Sequence, residues 1–95
     1  EEMAPGKDVQ TDAQILEYLR NTASTVYHPV GTCKMGTDAL AVVHPATLKV
    51  SGMENLRVMD ASVMPSLISG NTSAATMIIG ERGAAMVLAQ RHSSQ

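Results

Sequence analysis

The segment 72–90 constrains this chain more than any other. It opens after Gly70-Asn71-Thr72 and has helical length. Ala74, Ala75, Met77, Ile78, Ile79, Ala84, Ala85, Met86, Val87, Leu88 and Ala89 surround most of its circumference, broken mainly by Glu81 and Arg82. A helix that is apolar almost all round is at home inside a larger body. Gly80 and Gly83 each disfavour a helix interior by about 1 kcal/mol relative to Ala, so close approach by another element is the expected reason for them. The 95 residues offer little to cover such a helix: there are seven Met and two Tyr but no Phe or Trp. Short chains also bury a smaller share of their surface than long ones. With 44% apolar and only 17% charged residues, the chain reads as part of a larger protein, at most one domain in itself.

Charge and cysteine content remove several function classes. The net charge is −2 and no two Lys or Arg are adjacent, so the electrostatic footprint of a nucleic-acid binder is missing. The single cysteine, Cys33, excludes an intrachain disulfide. No apolar run approaches the roughly 20 residues that cross a bilayer, and the start, Glu1-Glu2-Met3-Ala4-Pro5-Gly6, lacks signal-peptide character. Location is not encoded in these residues; the cytoplasm is the default expectation.

Along the chain, Thr11 reads as a helix N-cap. Gln14 completes a capping box and Asp12 suits the positive end of the dipole. Ile15, Leu16, Leu19 and Ala23 recur at helical spacing, predicting a helix over 12–23 that stops short of His28-Pro29. Thr25 to Gly36 reads as loop. Val42-Val43, Leu48-Lys49-Val50 and Leu56 to Asp60 are expected as short strands, with Asp60 at a strand end. Residues 62–70 are irregular. The expected fold class is therefore α+β: helix, extended loop, short strands and a long buried helix.

Chemistry has three candidate positions. His28 is followed by Pro29 and the glycines at 31 and 36, a setting that holds an imidazole rigidly for proton transfer, though a lone loop histidine is more often structural. Asp60 is by default a cap or turn former; alternatively it meets a cofactor over the carboxyl end of a sheet. Asn71 is by default an N-cap; alternatively its amide donates to a substrate oxygen at a helix N-terminus. His28, Cys33 and His44 fit no standard zinc spacing, so no metal is expected. Cys33 lacks the surroundings of an activated thiolate and reads as a small buried thiol.

Three segments in order, HPVGTCKMG (28–36), VVHPATLKVSGMENLRVMDASVMPS (42–66) and SGNTSAATMIIGERGAA (69–85), closely resemble the C-terminal part of the glucose-methanol-choline (GMC) oxidoreductases, above all their choline-dehydrogenase-like branch. The likeness runs from about residue 11 to 90. Each motif is weak alone; together they are specific. The resemblance implies an FAD-dependent parent that oxidises an alcohol, with the whole chain, 1–95, as the C-terminal domain completing a flavin domain and a substrate domain. It makes His28 the active-site histidine facing flavin N5 and managing the hydroxyl proton. Asn71 matches the second catalytic position, His or Asn in the family. Asp60 and Ala61 match the pair beside the ribityl–pyrophosphate region, and Asn71 and Thr72 begin the helix that approaches the isoalloxazine.

Two departures stand out. His44 replaces an acid common before Pro45, with a local turn as the expected consequence. The glycine-rich G-x-G-x-x-G turn for the ADP half is missing from these residues, as is most of the substrate domain. The isolated chain is therefore expected neither to retain FAD nor to turn over. Its expected partners are an alcohol substrate, the remainder of the flavoenzyme and, through the apolar helix, further copies of itself. Two other readings stay open: a family member that keeps FAD for lyase chemistry, and a non-catalytic structural module.

Overall fold

Thr11 starts the first helix as its sequence dictates. In the computed structural model, which describes residues 1–93, helix α1 spans Asp12–Thr22. The Thr11 hydroxyl accepts the Gln14 amide at 3.2 Å and Gln14 Oε1 accepts the Thr11 amide at 3.0 Å, closing the capping box. Ala23, in extended conformation, ends the helix. No α1 residue is buried: Ile15, Leu16 and Leu19 share an apolar face and are 39–50% exposed.

The middle of the chain differs from the α+β expectation. Among the described residues there is no strand, only three isolated bridges: Met35 with Val43 (parallel), and Val43 with Val50 and Lys49 with Arg57 (both antiparallel). The fold is helical, two helices joined by a long irregular segment. The backbone explains why the expected strands do not propagate. Leu48 and Asn55 adopt left-handed φ values of 56° and 57°, and Gly52 lies at 76°. Each turns the chain out of the extended run that a ladder needs. Val43, Leu48 and Val63 instead form a small buried cluster, with Met35, Val50, Val58, Met59, Ile79 and Met86 packed around it. Asp60 accordingly caps a 3-10 turn, Ala61–Val63, rather than ending a strand.

Helix α2 spans Ser73–Ser93. The expectation of close approach holds at Gly83, the one buried α2 residue: a Cβ there would overlap the Met59 side chain. It fails at Gly80, where a Cβ would meet only the Met59 carbonyl oxygen, at an ordinary 3.9 Å. Much of the rest of α2 is uncovered, with Met77 66% and Ile78 68% exposed. An open apolar groove of about 370 Å³ runs beside it, lined by Met35, Leu48, Val63, Ile79 and Met86 among others.

The radius of gyration is 20.3 Å and the longest dimension 70 Å, against about 13 Å for the radius of a compact chain of this size. Such a shape cannot bury its apolar helices by itself. No helix among the described residues is long and apolar enough to cross a membrane.

Candidate functional site

The loop that carries His28 is tied down by main-chain bonds. The Cys33 amide donates to the Ser62 carbonyl at 2.9 Å and the Met35 amide to the Val63 carbonyl at 2.8 Å. Gly31, with φ 89°, turns the chain so tightly that a Cβ would come within 3.3 Å of the Met64 carbonyl oxygen. The segment after His28 is thus laced onto the 3-10 turn headed by Asp60. Tyr27, at φ 63°, reverses the chain just before the histidine.

His28 is half-buried, and its ring meets the start of α2. Nδ1 lies 2.9 Å from the Thr72 hydroxyl oxygen and accepts the Thr72 main-chain N–H at 3.2 Å. The Thr72 carbonyl accepts the first helical bond, from the Thr76 amide at 2.9 Å, so Thr72 stands at the N-cap position. In α1 the amide of the capping residue is satisfied by Gln14. In α2 the residue at the same helical position is Ala75, which has nothing to offer, and the imidazole from 44 residues upstream takes that place. His28 therefore works as a long-range half of a capping box.

Asn71 lies one residue outside the cap and is exposed. The default reading of its side chain as an N-cap fails, because Thr72 holds that position. Asn71 directly precedes Thr72 in the chain, and among the described residues no hydrogen bond of its carboxamide is found. The amides of Ser73, Ala74 and Ala75, in the first turn of α2, precede the first helical bond and have no partner within the helix. This helix end thus carries a turn of amides without helical partners, preceded in the chain by the Asn71 carboxamide.

Asp60 is exposed, and one of its oxygens, Oδ1, accepts both the Ser62 amide, at 2.8 Å, and the Ser62 hydroxyl. Those bonds hold its carboxyl below the usual carboxylate range, the hydroxyl contributing most and the amide next. Its demonstrated work is local, ordering the turn onto which the His28 loop is laced. Ala61 is the first residue of that turn and half-buried.

His44 also acts locally, Nδ1 accepting the Ala46 amide at 3.2 Å in the turn around Pro45. Cys33 is a half-buried free thiol. Among the described residues no three His, Cys, Asp or Glu side chains gather in a way that would hold a metal ion. The contact that sequence reasoning missed is Thr72 on His28. No local pattern could have revealed it, because the partners are paired only by the tertiary fold.

A family model described as GMC oxidoreductase matches residues 1–80. Among curated proteins, an oxygen-dependent choline dehydrogenase of Cronobacter sakazakii is 56% identical over 81 residues, covering 85% of this chain and 14% of that protein. An oxygen-dependent choline dehydrogenase of Escherichia coli is 54% identical over 86 residues, 90% of this chain and 15% of its own length. That of Proteus mirabilis is 52% identical over 82 residues, 86% of this chain and 15% of its own. The chain thus spans about one-seventh of the relatives it matches.

Proposed function

The chain belongs to the GMC oxidoreductase family, and on that premise we propose that it forms the C-terminal catalytic portion of an FAD-dependent enzyme that oxidises a primary, choline-like alcohol. The observation that carries the reading is the imidazole of His28 anchored through Nδ1 to Thr72 at the start of α2, the residue that follows Asn71 in the chain. A rigid ring and a free amide at a helix N-terminus are what an oxygen gaining negative charge requires.

The residues present fit one end of FAD. The first-turn amides of α2, which have no partner within the helix, and the Asn71 amide would hold the electron-rich edge of an isoalloxazine, and Asp60 and Ala61 would serve its ribityl–pyrophosphate region. No turn in this chain suits the ADP half. When bound, FAD supplies the two-electron acceptor for the hydride that leaves the alcohol carbon. His28 would take up the hydroxyl proton at Nε2, the nitrogen that Thr72 leaves open, with Nδ1–H then turned to the Thr72 hydroxyl oxygen. Asn71 would donate its amide to the substrate oxygen and hold the charge that gathers there as the O–H bond weakens. The helix behind them adds the field of its positive end.

The test is anaerobic mixing of the full-length flavoenzyme with choline and simple primary alcohols, followed by flavin absorbance. Bleaching is expected. His28→Ala should slow it at least about 100-fold, the lower range for a positioned acid–base or charge-stabilising group. Wild-type flavin that no alcohol bleaches would favour lyase chemistry, and near-normal reduction in His28→Ala would remove the histidine from the reaction. The extended shape favours a second statement, that the 95 residues alone neither hold FAD nor turn over. Tight flavin binding by the isolated chain would overturn it.

A further inference from the structure

We infer that the Thr72 hydroxyl is the group that lets His28 work as a base, because the main-chain N–H of the same residue, left alone, would hold the ring in a form unable to take a proton at Nε2. A threonine at a helix start ordinarily turns its hydroxyl back to accept an amide of the first turn. Thr11 does so in α1, accepting the Gln14 amide at 3.2 Å. Thr72 does not. Its hydroxyl oxygen lies 2.9 Å from His28 Nδ1 and has no other hydrogen-bond partner among the described residues. The capping hydroxyl is given over to the imidazole.

Two groups of one residue thus reach one ring nitrogen, and they suit opposite proton states. The amide, 3.2 Å away, can only donate and so needs a bare Nδ1; a neutral ring with Nδ1 bare carries its proton on Nε2. The hydroxyl can donate or accept. Turned to accept, it takes a proton on Nδ1 and leaves the lone pair on Nε2. In that state the amide contact, the longer of the two, is given up, and a substrate O–H donating to the bare Nε2 is gained.

The inference rests on the proposed alcohol oxidation and deepens it. As the substrate O–H bond breaks, its proton bonds to Nε2 and the ring becomes an imidazolium. Both ring N–H groups must then donate, and the Thr72 hydroxyl is the acceptor at hand for Nδ1. A hydrogen bond from a charged donor is about twice as strong as a neutral one, so the ring is held more firmly after the transfer than before it. Thr72 is a positioning residue that acts through His28: one hydroxyl admits the base form and steadies the charged form, while the ring stays in place.

Thr72→Val in the full-length flavoenzyme keeps the amide and the branched shape and deletes the hydroxyl. With 15N-labelled histidine, the wild-type His28 ring, assigned by its loss in His28→Gln, is expected to show a neutral form protonated at Nδ1. In Thr72→Val the neutral ring should be protonated at Nε2 alone. Flavin reduction by choline should fall roughly tenfold to a hundredfold, the range for one hydrogen bond to a charged group. Thr72→Ser should recover the ring signature and most of the rate. A wild-type neutral ring without a proton on Nδ1 overturns the inference, and so does a Thr72→Val enzyme that loses only thermal stability, with ring spectrum and reduction rate unchanged. If Thr72→Val does not fold, the wild-type ring and the Thr72→Ser rate decide. Should no alcohol reduce the wild-type flavin, the proposed oxidation falls, while the ring nitrogens of wild type and variant still judge what the hydroxyl does.

Discussion

Gly83→Ala tests how α2 is held in register. A methyl group favours a helix interior over glycine by about 1 kcal/mol, so at an open position this change stabilises. At Gly83 the new Cβ would overlap the outer part of the Met59 side chain and lie 3.1 Å from the Met59 Cβ. The thioether can swing aside, but the Met59 Cβ is fixed to the main chain, so α2 or the 56–60 segment has to shift. Overpacking of this kind costs about 1–3 kcal/mol. The two effects together leave a net loss of up to about 2 kcal/mol.

In the full-length protein this should lower the melting temperature by a few degrees, at roughly 2–4 °C per kcal/mol in a domain larger than this chain. The same change in a Met59→Gly background removes the obstacle, Cβ included, and should be neutral or stabilising relative to that background. Because Gly83 lies about 16 Å along the helix from Thr72, at about 1.5 Å per residue, a shift of α2 would also disturb the His28 contact. Gly83→Ala should therefore slow flavin reduction, and the double variant should recover it. A Gly83→Ala protein more stable than wild type would refute the packing argument.

Asn71→Ala should leave the melting temperature unchanged within error, since Thr72 and not Asn71 stands at the cap, while slowing flavin reduction in stopped flow. Thr11→Ala breaks one half of the α1 capping box and should cost about 1 kcal/mol of local helix stability, seen as faster hydrogen exchange in the first turns of α1. The Asp60 carboxyl is held below its usual range, so its contribution is complete above the ordinary carboxylate value and is lost as pH falls through the lowered one. Asp60→Asn should accordingly lower the neutral plateau of a stability–pH curve slightly and flatten its acid limb.

What the residues disclose by themselves follows how local the forces are. The capping box of α1 involves atoms three residues apart, so Thr11 and Gln14 declare the helix start before any coordinates exist. The two glycines of α2 flag a close approach, which the structure supplies at 83 and not at 80. The expected strands mislead because alternation and β-branched residues at 42–43, 48–50 and 56–60 do mark chain that packs sidelong. Left-handed turns at Leu48, Gly52 and Asn55 then limit each contact to a single bridge.

The same distinction governs the candidate site. Sequence alone determined that His28 sits in a conformationally restricted loop, that Asn71 and Thr72 precede an apolar helix, and that the whole pattern is that of one enzyme family. Whether Asn71 or Thr72 would cap that helix, and which nitrogen of His28 would be left for a ligand, was decided only in three dimensions. Both depend on an imidazole and a main-chain amide 44 residues apart. Hydrogen bonds over that separation are set by how the intervening loop is laced to the 3-10 turn, and no short-range preference along the chain encodes that meeting.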